Sequence, residues 1–568
     1  MGAQDWTGDV RVIGGGAIGG KAQGLVSVAR DVLAATAEGD FPEFVVRVPD
    51  FAVLGTDVFR EFVADNDLAR LERAGLPDDR IAHAFQRGEM PPLVLGELRA
   101  LVEQPRGPLA VRSSSLLEDA LAHPFAGVYA TKMTPNNQAS ADERFRRLLE
   151  AVKFVWASTY FAAAVSYRDS IDTGGREEAM AVIVQEVVGS ERNRRFYPTL
   201  SGVARTYNYY PTGAATPHDG VASLALGLGR QIVDGGACWT YVPAYPAAGP
   251  PYADVGERLD AAQRTFWAVD TGEPPLPDPL AETEYLAELS LDDADYDGQL
   301  EHLVSTYDHR SDRLRPGRQS GGAWCLDFSP LLSLGTLPLN GLVQRLLSQA
   351  EQAVDGAVEI EFAVDVPLEP GRPARFGFLQ MRPMAVDEAR VDLPEAALTG
   401  PDVVVRGRHA LGNGERHDLC DVVYLDPERF DAGRTPAIAR ELGERNRELL
   451  AAGRPYLLLG FGRWGSSDPW LGVPVAWGQI SGARVLVESS LPSMNPDISQ
   501  GSHFFHNLIG LKILYLATAR GDETAVDWDW LARQPLAAAG EYTRHVRLER
   551  PLHVVVDGIN GRGAVRHD

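Results

Sequence analysis

Residues 10–33 open with Val10-Arg11-Val12-Ile13, pass through Gly14-Gly15-Gly16-Ala17-Ile18-Gly19-Gly20-Lys21, and continue from Ala22 to Leu33. The first run is short and apolar, and Leu25, Val28 and Val32 recur at helical spacing, so the stretch reads as strand, glycine loop and helix. Two phosphate-binding patterns can be laid over the loop. Gly14-x-Gly16-x-x-Gly19 fits a dinucleotide fingerprint, but the next recognisable strand begins only at Phe44, beyond Glu38 and Asp40. Gly15-x-x-x-x-Gly20-Lys21 fits a P-loop, except that Ala22 stands where Ser or Thr should hold magnesium. Neither match is complete. Glycines still permit close backbone approach, and amides at a helix start favour phosphate. The bland alternative is a tight strand-to-helix turn. Lys21 is one of only four lysines, with Lys132, Lys153 and Lys512, in a chain that writes nearly every other cation as Arg.

The surrounding composition bounds the function. The chain has 568 residues, 54 basic against 78 acidic, for a net charge of −24. With 45 % hydrophobic and 23 % charged residues it has a globular balance. Its length suggests about three to five structural units. An acidic surface disfavours nucleic acid and anionic membrane as partners, yet leaves room for ATP in a local cluster of Arg and Lys. Cys238, Cys325 and Cys420 are too few and too scattered for a disulfide framework or a zinc site. No uninterrupted apolar stretch approaches the roughly 20 residues that cross a bilayer, and the N-terminus has no signal-like pattern. A cytoplasmic location is the expectation.

Along the chain, residues 56–104 read as mostly helical, with Asp57 near a cap, and 141–170 as one long helix. Ala179 to Val188 is a buried strand by its continuous apolar, β-branched character. Ser201 to Tyr210 and Val221 to Leu228 suggest two strands around Pro211-Thr212-Gly213. The stretch 243–295, rich in Pro, Ala, Asp and Glu, looks like a surface excursion. A helix is expected at 339–354, then an antiparallel pair of Val358–Val364 with Phe376–Met381.

Two further constellations carry chemistry. Leu109-Ala110-Val111-Arg112-Ser113-Ser114-Ser115 places a guanidinium at a strand end beside three hydroxyls, suited to phosphate oxygens. Its bland reading is an Arg paired to Glu118 or Asp119. In the second, Glu359 and Glu361 share one strand face, and Gln380 and Arg382 share a face across a Pro- and Gly-containing connection. A carboxylate opposite an amide oxygen suits a hard cation such as magnesium, and Arg382 beside them could steady a transferring phosphoryl group. A solvent-facing salt bridge on an edge hairpin is the alternative.

Taken in order, Gly19-Gly20-Lys21-Ala22-x-x-Leu25, Val111-Arg112-Ser113-Ser114, Phe125-Ala126-Gly127, Val184-Gln185, Ser201-Gly202-Val203, Gly227-Leu228-Gly229, Ile360-Glu361-Phe362 and Leu379-Gln380-x-Arg382-Pro383 resemble the nucleotide-binding part of the phosphoenolpyruvate synthase and pyruvate phosphate dikinase family. The resemblance implies an α+β, ATP-grasp fold over residues 1–395, with ATP and Mg2+ as cofactors. Lys21, Arg112 and Arg382 are then phosphate contacts and catalytic groups, and Glu361 and Gln380 the magnesium ligands. Gln185, Glu186 and Val187 are expected to line the adenine pocket, and Ser201, Gly202 and Val203 to belong to a loop over the phosphates. Arg230 departs from the pattern, since an acidic residue is expected after Gly227-Leu228-Gly229. Residues 243–335 look like a family-divergent insertion.

Neither a Thr-Ser-His-Ala-like carrier segment nor length for a pyruvate-binding barrel is evident, so a complete phosphoenolpyruvate synthase is not expected. Residues 396–568 are expected to form an additional α/β domain. Its Gly/Trp-rich block, Leu459-Gly460-Phe461-Gly462-Arg463-Trp464-Gly465-Ser466-Ser467-Asp468, resembles one in barrel-less proteins of the superfamily. Its amides, guanidinium and hydroxyls suit an anion or acceptor. His503 and His506 are candidate phosphoryl carriers or bases, against core or cap roles. Three functions stay open: a phosphotransferase acting on a small-molecule acceptor, a half-enzyme serving a separate phosphocarrier protein or its own C-terminal histidine, and a non-catalytic nucleotide-binding subunit.

Overall fold

The run Met180-Ala181-Val182-Ile183-Val184 is buried because it is the middle strand of a five-stranded sheet. The order is Arg11–Ile13, Phe51–Leu54, Met180–Glu186, Leu109–Ser115 and Thr131–Thr134. The structure, a computed structural model, describes residues 10–34, 39–72, 74–103, 107–116, 127–170, 178–250, 252, 254–369, 371–386, 391–466, 468, 470–491, 494, 507–518, 522 and 524–567. Helices Thr56–Asp65, Asp78–Arg87 and Pro92–Val102 follow the expected helical region. Gly55, not Asp57, is the N-cap, and Asp57 complements the helix dipole from the first turn. The expected helix 141–170 is broken: Ala141–Ala157 gives way to a 3₁₀ turn at Ser158–Tyr160 before Ala162–Ser170. Ala141–Asp169 is long and apolar enough on average to cross a membrane, although charged residues from Arg144 to Arg168 interrupt it. More than half of its apolar window is buried, with Trp156 packed on Phe59 and Phe62.

A second sheet, of six strands, runs Trp239–Tyr241, Val221–Ala225, Leu200–Arg205, Val358–Asp365, Ala374–Pro383 and Phe44–Arg47. The expected hairpin is present: Val358–Asp365 pairs antiparallel with Ala374–Pro383. Helix Leu339–Val354 packs Leu342, Val343 and Leu346 into the core beneath it. The stretch 243–295 is not a surface excursion: it and the residues that follow it as far as Phe328 contribute to the core. Phe266, Ala268, Val304, Leu326 and Phe328 join the same core as Phe376 and Phe378. Lys132 and Glu284, each 1 % exposed and 2.7 Å apart, further tie this region to the first sheet. The two sheets and their helices make an α+β unit that reaches Met384.

Residues 385–568, joined by 163–170, form a second unit. Its centre is a nine-stranded mixed sheet in which Asn413–Leu425, Tyr456–Phe461, Ala483–Ser489 and Leu514–Ala517 are parallel neighbours. Helix Thr435–Ala451 is the crossover between the first two. The long strand Thr543–Asp557 pairs antiparallel with Asn413–Leu425.

Candidate nucleotide site

Gly19 shows why the first loop is glycine-rich. It sits at φ +76°, and a Cβ there would lie 1.8 Å from the Ser114 carbonyl oxygen, so the helix start Gly19–Ser27 can lie against the serine-bearing strand only without a side chain. The Ser114 hydroxyl accepts the Ala22 amide at 3.1 Å and donates to the Ile18 carbonyl at 2.8 Å. The first turn of the helix is thereby tied at its opening carbonyl and amide to a residue 92 positions from Ala22. Lys21 Nζ donates to Ser113 Oγ at 3.1 Å, which brings the first two sequence motifs together.

Arg112 joins the second and third motifs. Its Nη2 donates to Gln380 Oε1 at 2.7 Å and to Glu361 Oε2 at 3.4 Å, while Nη1 reaches the Leu379 carbonyl at 3.0 Å and Gln185 Oε1 at 3.4 Å. The register explains the convergence. Glu361 is paired with Gln380 and Glu359 with Arg382, and a shift follows in which Phe362 meets Phe378, leaving Leu379 as a bulge residue. A bulge withdraws a carbonyl from the ladder, and this one accepts from Arg112. Glu118 and Asp119, the alternative partners of Arg112, lie outside the described residues.

Arg382 is held by Glu359, its Nε donating to Oε1 at 2.8 Å, and Arg205 Nε donates to the other oxygen at 2.6 Å. All three are buried, Glu359 to 1 % exposure. Arg382 Nη2 also lies 3.9 Å from Glu361 Oε1. Three guanidinium groups thus meet two carboxylates, an excess of positive charge before Lys21 is added, within a chain of net charge −24. Glu361 and Gln380 offer oxygen donors from directly opposed positions, a set that fits a hard divalent cation. The guanidinium of Arg112 supplies positive charge to both of those donors.

A cleft lies along the same strands, lined among others by Glu186, Val187, Val188, Phe196, Arg47 and Gly377. Gly377 and Gln380 are three positions apart on one strand, about 10 Å, so the cleft and the charged cluster share a floor. Gln185, at 2 % exposure, keeps its oxygen near Arg112.

Ser201, Gly202 and Val203 do not form a loop. They lie in the buried strand Leu200–Arg205, where Gly202 makes room for the Phe362 ring and Val203 stands opposite Glu361. Ser201 Oγ donates to the Gly227 carbonyl at 2.7 Å and so fixes the Gly227-Leu228-Gly229 turn. Arg230 is engaged by Asp234 at 3.0 Å and lies over the Trp267 ring. Arg205 and the role of Glu359 were missed by sequence reasoning. An arginine closing the otherwise apolar strand Leu200–Ala204 was the available signal.

In the second unit, four amides of the Gly/Trp-rich block are already engaged within the fold. Gly462, Arg463 and Gly465 donate to the carbonyls of Ser489, Leu471 and Val473, and Trp464 donates to Glu488 Oε1 at 3.0 Å. Glu488 is buried and also accepts from Tyr515 at 2.7 Å. His503 and His506 lie outside the described residues, as do Phe125 and Ala126.

The comparisons converge on the first unit. "Phosphoenolpyruvate synthase" of Aeropyrum pernix is 29 % identical over 242 residues, covering 38 % of this chain and 25 % of that protein. "Uncharacterized phosphotransferase YvkC" of Bacillus subtilis is 29 % identical over 191 residues, covering 33 % of this chain and 20 % of that one. The chain therefore spans a quarter or less of the length of these relatives. The family model for the pyruvate phosphate dikinase AMP/ATP-binding domain matches residues 16–397. With two thirds of its sequence matched, and the matched motifs meeting at Arg112, this chain belongs to the pyruvate phosphate dikinase AMP/ATP-binding domain family.

Proposed function

We propose that this protein is an ATP- and magnesium-dependent phosphotransferase of ATP-grasp type, passing phosphate to a small-molecule acceptor or a separate phosphocarrier protein in the cytoplasm. The observation that carries the reading is the Arg112 guanidinium placed on both Gln380 and Glu361. The base would occupy the cleft beside Glu186, Val187 and Val188, and the phosphates would extend along the strand toward Gln380. Lys21 and Arg112 then bind phosphate oxygens, while Arg382, held rigidly by Glu359, is positioned against the phosphoryl group in transfer. Glu361 and Gln380 would hold magnesium, which supplies neutralisation of charge on the phosphate oxygens. Held by Glu359 before substrate arrives, Arg382 needs no reorganisation during transfer.

The test is ATP labelled separately at the β and γ phosphates, incubated with the protein, magnesium and fractionated cell extract. AMP plus inorganic phosphate indicates dikinase-type chemistry, ADP a simple kinase, and label retained on protein a carrier histidine. Tight ATP binding with no turnover in any fraction overturns the catalytic reading.

A further inference from the structure

We propose a second metal site, of the zinc type, on the sheet of the second unit, formed by Glu415, His417 and His553. The backbone builds it. On the strand Asn413–Leu425, Glu415 pairs with Val555 and Arg416 with Val554 on the neighbouring strand Thr543–Asp557, and pairing resumes only at Leu419 with Leu552. His417 and Asp418 therefore stand against the single residue His553, two against one, which is a β-bulge. Bulges re-aim side chains, and here the two imidazoles stack, with centroids 4.2 Å apart and planes 21° from parallel.

Both rings turn Nε2 toward one carboxylate oxygen. His417 Nε2 lies 3.4 Å and His553 Nε2 3.3 Å from Glu415 Oε2, and all three donors fall within 4.8 Å of one another. A tetrahedral ion at about 2.0–2.1 Å from each ligand separates the ligand atoms by about 3.3–3.4 Å, so two of the three edges already have that length. The third closes by rotation of the exposed His417 ring. Arg416 is occupied by Asp418, through an Nε donor at 3.0 Å, so no guanidinium competes for Glu415 among the described contacts. Two imidazoles and one carboxylate favour zinc, copper, nickel or cobalt over magnesium or calcium, which prefer all-oxygen shells. Three protein ligands leave a fourth position for water or an anion. A bound ion would cross-link the two central strands at the point where their ladder is interrupted.

The experiment is isothermal titration calorimetry of Zn2+ into the full chain in excess Mg2+, which keeps the Glu361 and Gln380 site out of the titration. One ion per chain is expected, bound at least roughly tenfold more weakly by His417→Ala and by His553→Ala. His83→Ala, an exposed histidine on helix Asp78–Arg87, should leave binding unchanged. Cobalt should give the strong visible absorption of a four-coordinate site, lost in His417→Ala. Absence of saturable one-to-one binding, or equal binding by wild type and His417→Ala, overturns the proposal. Because His417 is exposed, its variant keeps the test decisive even if His553→Ala fails to fold.

Discussion

Arg112 holds two oxygen donors that a divalent cation would also use, so guanidinium and cation compete. Replacing Arg112 by Ala frees Gln380 Oε1 and Glu361 Oε2. Mn2+ titration of the nucleotide-free protein should therefore show tighter binding in Arg112→Ala than in wild type. ATP affinity should fall in the same variant, by the roughly 1.5–3 kcal/mol of a charge-assisted hydrogen bond. Opposite signs in the two titrations are the signature; a loss of both would mean that Arg112 only props the fold. Glu359 presents a different problem. Its carboxylate lies between Arg205 and Arg382 with no exposed side-chain surface, so Glu359→Ala leaves two guanidinium groups buried without their shared counter-ion. Breaking such a pair costs about 3–5 kcal/mol, which should appear in the denaturant midpoint of the first unit. A change below about 1 kcal/mol would show that water or a rotamer change rescues the arginines.

At the scale of elements, what could be read from sequence depended on how local its cause was. Helix 339–354 and the strand pair beyond it were legible because apolar spacing and a Pro-Gly connection state them locally. The register shift at Leu379 was not legible, although it sets where Arg112 docks, because it depends on Phe362 meeting Phe378. The stretch 243–295 was misread for a related reason: a strand as short as Thr265–Asp270, followed by the proline-rich connector at 274–279, carries too little periodicity, and the burial of Phe266 and Ala268 is decided by distant partners. The strand pair that hosts the proposed zinc site offers a pH test. His545 on the strand Thr543–Asp557 faces Asp421, which Arg454 already engages through Nε at 2.9 Å. Burial pushes the imidazole pKa below its ordinary 6.5, against the smaller pull of Asp421, and Nδ1 is buried without a partner among the described residues, as a neutral ring tolerates better than a charged one. The unfolded chain therefore takes up this proton first. Stability contributed by the neutral ring is full above about pH 6.5 and falls with pH until the folded-state pKa is passed. Denaturation of wild type and His545→Gln at stepped pH should give a constant difference above about 6.5 and a shrinking wild-type advantage below it. A difference that stays flat would mean that the folded and unfolded chains take up this proton at the same pH, so that burial does not shift it.

Across the whole molecule, the two units have separate apolar cores, one gathered around Phe266, Phe328 and Phe376 and the other around Val422, Leu457 and Val487. All the residues assigned to nucleotide lie in the first. Ligand bound to a native unit stabilises it by mass action, about 2.7 kcal/mol at a hundred times the dissociation constant. Amide hydrogen exchange in saturating ATP and magnesium should thus slow in Leu109–Ser115, Met180–Glu186, Val358–Asp365 and Ala374–Pro383, and stay unchanged in Tyr456–Phe461 and Ala483–Ser489. Equal slowing in both sets would mean that the units open as one cooperative block. In that case a stabilising effect could not locate a ligand. If only the first set responds, the same measurement becomes an assay for the acceptor, since a compound or carrier protein that engages the second unit must add protection where ATP alone gives none.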